Sequence, residues 1–258
     1  MYGYFYAMKR RTFSKKLMAS IMSFALLESI FKTEATGKTI SPLVKHWAIL
    51  LNEYCNDLKT ETITQVEWQF LVSELFRSIE LEEILKFIDT EKLFKNFDFP
   101  DLGTGNKYVM FPRLEGLPEN TTYIKKIFGM KKGRAIIPHG HSNMTSSHLI
   151  LSGEMHLRNY NTLEKQDNHL IINKTVDKII KPSECSTISD DKDNVHWFIA
   201  NSETAFTFDV IMLDLNQEHY DIYNLDIYEG QKLNKDNLRV PILDVGMALK
   251  KYGKTHHD

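Results

Sequence analysis

The chain has 258 residues, 42% of them hydrophobic and 26% charged, which is enough to bury a sizeable core and too apolar for a disordered protein. Lysine plus arginine number 32 against 34 aspartate plus glutamate, a formal charge of -2, so there is no overall electrostatic reason to bind nucleic acid or an anionic membrane. Two cysteines 130 positions apart, Cys55 and Cys185, with no CxxC, indicate neither a disulfide framework nor a cysteine metal site and leave the redox compartment open.

In chain order, the first segment is "KRRTFSKKLMASIMSFALL", a positive cluster before an apolar run that ends at Leu27. That layout is the one a secretory signal uses. Arg10, Arg11, Phe13 and Lys15 resemble the paired arginines, phenylalanine and lysine of a twin-arginine export signal. Residues 1–35 are therefore read either as such a signal, which would place the protein in the periplasm, or as an amino-terminal helix of a cytoplasmic protein. The apolar run is shorter than the about 20 residues a membrane span needs, so stable membrane insertion is not expected.

Residues 36–100 read as helical. Ser41 and Pro42 form an N-cap and first-turn pair, and Leu43, Trp47, Leu50, Leu51 and Tyr54 share a face. Thr64 and Glu67 stand in capping-box register before Trp68, Leu71, Val72, Leu75 and Phe76. A third helix is expected from about Leu81, broken near Asp89. The turn cluster "FPDLGTGN" marks a boundary. Residues 101–258 then show short runs of period-two alternation ("KYVMF", "TYIKKIFGM", "RAIIPHGH", "SHLILSGEMHLRNY", "HLIINKTV", "STIS", "VHWFIAN", "AFTFDVIMLDL"), which predict an all-β sandwich or barrel. "DVGMALKKYG" reads as a closing helix ended by Gly253.

Four of the ten histidines fall between His139 and His156. On a strand, His139 and His141 point to one face with Gly140 on the other, and two imidazoles on one face can share a metal ion. A third ligand has to come from elsewhere, and His196 in "NVHWFIAN" is the candidate. Such a pair on its own is as readily two polar residues on a solvated face. His148 shares parity with Ser146 and is read as a fourth ligand, a base beside the metal, or a polar residue at a barrel mouth. His156 lies past Gly153 and belongs to the next strand. The acidic run Asp190, Asp191, Asp193 lacks the glycine and terminal glutamate of a calcium loop, so a solvated turn is expected.

Gly133, His139, His141 and Gly153 together resemble the first motif of the cupin family, with Ser146 where the usual acidic ligand would stand. His196 followed by Asn201 is similar to the second cupin motif. The resemblance covers roughly residues 106–215. Within cupins, "HGHSNMTSSHLILSGEMHLRNY" looks like the thiol dioxygenases of the cysteamine and plant-cysteine oxidase type, through His139, His141, Met144, Thr145, Gly153, His156, Arg158 and Tyr160. The resemblance implies a mainly β fold, a cupin-type double-stranded β-helix, which the helical residues 36–100 would precede. It also implies iron(II) on His139, His141 and His196, with zinc or another divalent metal as the alternative.

The implied activity is a non-haem iron dioxygenase acting on a small thiol or anionic substrate. His148, Arg158 and Tyr160 are then the candidate catalytic residues, the latter two either orienting an anion or, as basic and aromatic residues alternating on a strand more often do, lying on an exterior face. The other reading is a metal-binding cupin without oxygenase activity, a hydrolase, isomerase or binding module. The expected partners are a small-molecule substrate and a second copy of the chain, with no nucleic acid.

Overall fold

A computed structural model describes residues 40–255. The twin-arginine-like segment lies outside the described residues. Among those described, no helix is long and apolar enough to cross a membrane.

Helix α1 (Pro42–Lys59) starts as expected, with the Ser41 side chain accepting from the Val44 N–H at 3.3 Å. Helix α2 (Gln65–Arg77) carries the complete Thr64–Glu67 capping box. The break at Asp89 is a left-handed residue, φ 56°, between α3 (Leu81–Phe87) and α4 (Thr90–Phe94). Aspartate is among the few residues other than glycine that tolerate this region.

The strands are β1 (Gly105–Tyr108), β2 (Ile124–Lys131), β3 (Ala135–Ser142), β4 (Thr145–Ser152), β5 (Met155–Gln166), β6 (His169–Ile180), β7 (Cys185–Ile188), β8 (Val195–Ala200), β9 (Thr204–Met212), β10 (Asp221–Leu225), β11 (Gln231–Lys232) and β12 (Asn237–Leu243). Helix α5 (Val245–Tyr252) follows, capped by Asp244. One sheet runs β1-β2-β9-β4-β7 and the other β10-β3-β8-β5-β6-β12-β11, with antiparallel pairings throughout. This is the double-stranded β-helix expected from the sequence, preceded by its helical region.

Strands β10 to β12 do not stand out in the alternation. β10 and β11 have only five and two residues, two of β10's five are exposed, and Pro241 interrupts β12. Their pairing β10–β12 closes the larger sheet on itself around Tyr160, Leu170, Ile172, Val195, Tyr223, Leu225 and Val240.

Parity explains the layering. On β9, Phe206, Phe208, Val210 and Met212 join Leu149 and Leu151 of β4 in one cluster with Trp47, Leu51, Trp68, Leu75 and Phe76 of the helices. The opposite parity, Thr207 and Asp209 on β9 and Ser146 and His148 on β4, faces the space between the sheets. Strands covered on both faces read as nearly continuous buried runs, which is what β4 and β9 show. At one end of the barrel interior Ile136, Ile150, Leu157, Phe198 and Ala205 form an apolar floor.

Helix α2 also grips the turn between β7 and β8. Gln65 Nε2 donates to Asp190 Oδ2 at 2.8 Å, the Asp190 N–H donates to Gln65 Oε1 at 2.9 Å, and Ser189 donates to Gln69 Oε1 at 2.8 Å. Asp190 Oδ2 also accepts from the Asn143 N–H at 3.0 Å, tying that turn to the β3–β4 turn. The acidic run is thus only partly the solvated turn expected of it: Asp191 is exposed, while Asp190 is a half-buried tie.

Candidate metal centre

His139 and His196 are direct cross-strand partners between β3 and β8. Register shifts between Ile136 and His139, where β3 carries one extra residue opposite β8. Ile136 faces the interior opposite Phe198, so an unbroken strand would send Pro138 and Gly140 inward. The bulge reverses the parity and turns His139 and His141 in instead. Pro138, which has no N–H to give a ladder, sits at this bulge, where proline is tolerated.

One ligand nitrogen from each of His139, His141 and His196 lies within 4.8 Å of the others. His139 Nδ1 donates to the Ile137 carbonyl at 2.7 Å, which leaves Nε2 without a proton. That atom faces His196 Nε2 at 3.0 Å. Two nitrogens bound to one ion at about 2.1 Å take such a separation at a right angle. Burial pushes the imidazolium pKa of His139 down to about 4 and holds His141 and His196 well below the usual histidine range. The three rings are therefore neutral at pH 7, the form in which imidazole binds a metal. His196 Nδ1 has no hydrogen-bond partner among the described residues. The donor set and its geometry fit a divalent metal ion.

The depressed pKa values fix a sign. Between about 6.5 and about 4 the unfolded chain takes up protons on these histidines and the folded chain does not. Stability of the metal-free protein should therefore be fully present above about 6.5 and fall as the pH drops toward 4. Urea midpoints of the metal-free chain at pH 7 and pH 5 measure it, and an unchanged midpoint contradicts it.

His141 is held by its neighbours. Asn194 Nδ2 donates to the His141 carbonyl at 2.9 Å, the Tyr223 hydroxyl donates to the same carbonyl at 2.5 Å, and His141 Nδ1 faces the Asn194 carbonyl at 3.3 Å. Thr162 donates to Asn194 Oδ1 at 3.0 Å, and the Tyr223 hydroxyl oxygen lies 3.1 Å from the same atom. Gly140 is required between the two histidines, because a Cβ there would lie 2.4 Å from Tyr223 Cε2 and 3.1 Å from Asn194 Oδ1. Partners that orient a ligand histidine are typically worth about 10–100-fold in metal affinity. Asn194→Ala should weaken binding by that factor, read by calorimetric titration with zinc, and an unaltered affinity would show that the clamp is dispensable.

The sequence candidates separate in space. His139, His141 and His196 converge. His148 stands beside them, its ring centroid 4.7 Å from that of His196, but its nitrogens are engaged elsewhere: Nδ1 with Asp209 Oδ2 at 2.6 Å and Nε2 with Ser146 Oγ at 2.8 Å. Arg158 pairs with Trp197 on the opposite face, its guanidinium 4.4 Å over the Trp197 ring and near Asp177. Tyr160 is buried with Val195 and Tyr223 in the cluster at the β10–β12 closure. His156 binds Asp177 at 2.6 Å on that outer face. Neither Arg158 nor Tyr160 is brought to the histidines.

Sequence reasoning missed Asn159 and Asp209. Asn159 is the register partner of His196 and donates to Ser186 Oγ at 3.2 Å. Ser186 and Asp209 are both register partners of His148. One layer of the barrel thus carries His139, His196 and Asn159 from one sheet and Ser186, His148 and Asp209 from the other. The available signal was a polar residue at the inward parity of an apolar strand, as Asp209 is in "AFTFDVI".

No family model matches the chain, and no curated protein matches it. Solved structures do resemble parts of it. KdgF from Halomonas sp. is 13% identical with a TM-score of 0.33, covering 48% of this chain and 91% of that one. An uncharacterized double-stranded β-helix protein from Klebsiella pneumoniae subsp. pneumoniae is 11% identical with a TM-score of 0.35, covering 50% and 92%. Procruciferin, an 11S globulin from Brassica napus, is 12% identical with a TM-score of 0.33, and the match spans 50% of this chain but only 30% of the globulin.

Proposed function

We propose that the protein is a mononuclear metalloenzyme, a non-haem iron(II) dioxygenase that takes a small thiol or other small anionic substrate at a three-histidine centre. The observation that carries this reading is the convergence of three neutral imidazoles inside the barrel, with no carboxylate among them. Iron(II) held in this way supplies open positions for a substrate donor atom and dioxygen, and it keeps its full positive charge, which favours an anionic donor.

The chain's own residues do the rest. His139 is oriented by the Ile137 carbonyl and His141 by Asn194 and Tyr223. Phe198 and Ile150 shield the histidine layer from one end. With Arg158 and Tyr160 facing elsewhere, recognition of the rest of the substrate falls to Asn159, the register partner of His196.

Zinc fits three imidazoles equally well, and a buried carboxylate–histidine–hydroxyl chain beside the site favours a hydrolytic second reading. Iron(II)-loaded protein screened in an oxygen electrode with small thiols and small acids separates the two. Substrate-dependent oxygen uptake is the expected result. A stoichiometrically loaded protein that consumes no oxygen with any of them would remove the dioxygenase reading.

A further inference from the structure

Ser146, His148 and Asp209 form a hydrogen-bonded chain beside the three-histidine centre, and none of them is among its three ligands. Asp209 Oδ2 can only accept as a carboxylate, so the His148 proton on this side sits on Nδ1, 2.6 Å away. His148 Nε2 then presents its lone pair to the Ser146 hydroxyl at 2.8 Å. All three residues are buried, and the strand parities place them on the interior face. A carboxylate that fixes the tautomer of an imidazole, which in turn accepts from a serine hydroxyl, is the arrangement that activates a serine nucleophile, and it is recognised by geometry rather than by sequence order.

A second observation points to a ligand in the same space. Asn159 Oδ1, Thr207 Oγ1 and Asp209 Oδ1 are buried with no hydrogen-bond partner among the described residues. Their register positions put them on the interior face with His196, Ile150 and His148 respectively. Buried acceptors without partners cost stability unless a bound molecule or water meets them.

We propose that Ser146 is a nucleophile activated by His148 and Asp209, forming a second reactive centre in the barrel that accepts the acyl group of a small carboxylic ester. Ser146 Oγ bonds to the carbonyl carbon while its proton passes to His148 Nε2, and the carbon–oxygen bond to the alcohol breaks as that proton is returned to the leaving oxygen. Water, giving its proton to His148, then releases the acid and restores the serine. The net reaction is hydrolysis of an ester to an acid and an alcohol, and it does not rest on the metal reading.

The test is phosphonylation of the full chain by diisopropyl fluorophosphate, before and after treatment with EDTA, followed by peptide mass spectrometry. The expected result is a single adduct on Ser146 in both preparations, absent in Ser146→Ala. His148→Gln should slow labelling by on the order of 10²-fold or more. No adduct, or an adduct that survives Ser146→Ala, overturns the proposal. Ser146→Cys guards against a folding or access artefact. If iodoacetamide alkylates the substituted thiol but the native serine takes no phosphonate, the hydroxyl is reachable and not activated. If neither reacts, the serine is sealed in the core, and both outcomes count against a reactive centre.

Discussion

His196→Ala should abolish stoichiometric metal binding while leaving a folded protein. His196 is the ligand that links the two motif segments, 55 positions beyond His141 in the chain and yet the direct partner of His139. Removing it leaves His139 and His141 as a two-nitrogen site on one strand. The loss should exceed the about 10–100-fold typical of removing a residue that only orients a ligand. Calorimetric titration of variant and native protein with the same metal measures the ratio. An affinity within tenfold of native would mean that His196 is a packed core histidine and no ligand.

Phe208→Ala should cost about 3–5 kcal/mol, the range for truncating a buried phenylalanine. Phe208 is fully buried on the helix-facing side of β9, with its ring centroid 6.2 Å from those of both Phe76 and Phe111. The opposite face of the same strand carries Asp209, so the helical layer and the site share one backbone. Denaturant unfolding followed by far-ultraviolet circular dichroism and by tryptophan fluorescence should show a lower midpoint with both signals moving together. Two separated transitions would show that the helices unfold apart from the barrel.

Much of this arrangement is legible in the chain and some of it is not, for identifiable reasons. The pair His139 and His141 is readable because alternation alone puts both on one face, and the capping box at Thr64 is readable because it is a local hydrogen-bond pattern. Which face of β3 points inward is not readable, since the bulge between Ile136 and His139 sets it and depends on the pairing with β8. For Arg158 and Tyr160 the alternation allows an exterior face, which is where they lie, but the sequence alone does not choose it over the interior. They stand within four residues of His156 on a strand whose register with β6 shifts between Asn159 and Tyr160. His148 shows its parity in the sequence, but its Asp209 partner is 61 positions away and becomes visible only through the cross-strand register. Strands β10 to β12 escape because their stabilisation comes from closing a ring of strands, a tertiary effect that leaves little alternation behind.

Three imidazoles, and no thiolate or carboxylate, are expected to hold one metal ion inside the barrel. X-ray absorption at the metal edge of the loaded protein tests this most directly, because imidazole rings give a distinctive outer-shell scattering and sulfur a longer, stronger first shell. The expected spectrum shows about three imidazoles with nitrogen near 2.1 Å and light-atom donors in the remaining positions. A sulfur shell, or a first shell without imidazole scattering, would mean that His139, His141 and His196 do not hold the metal.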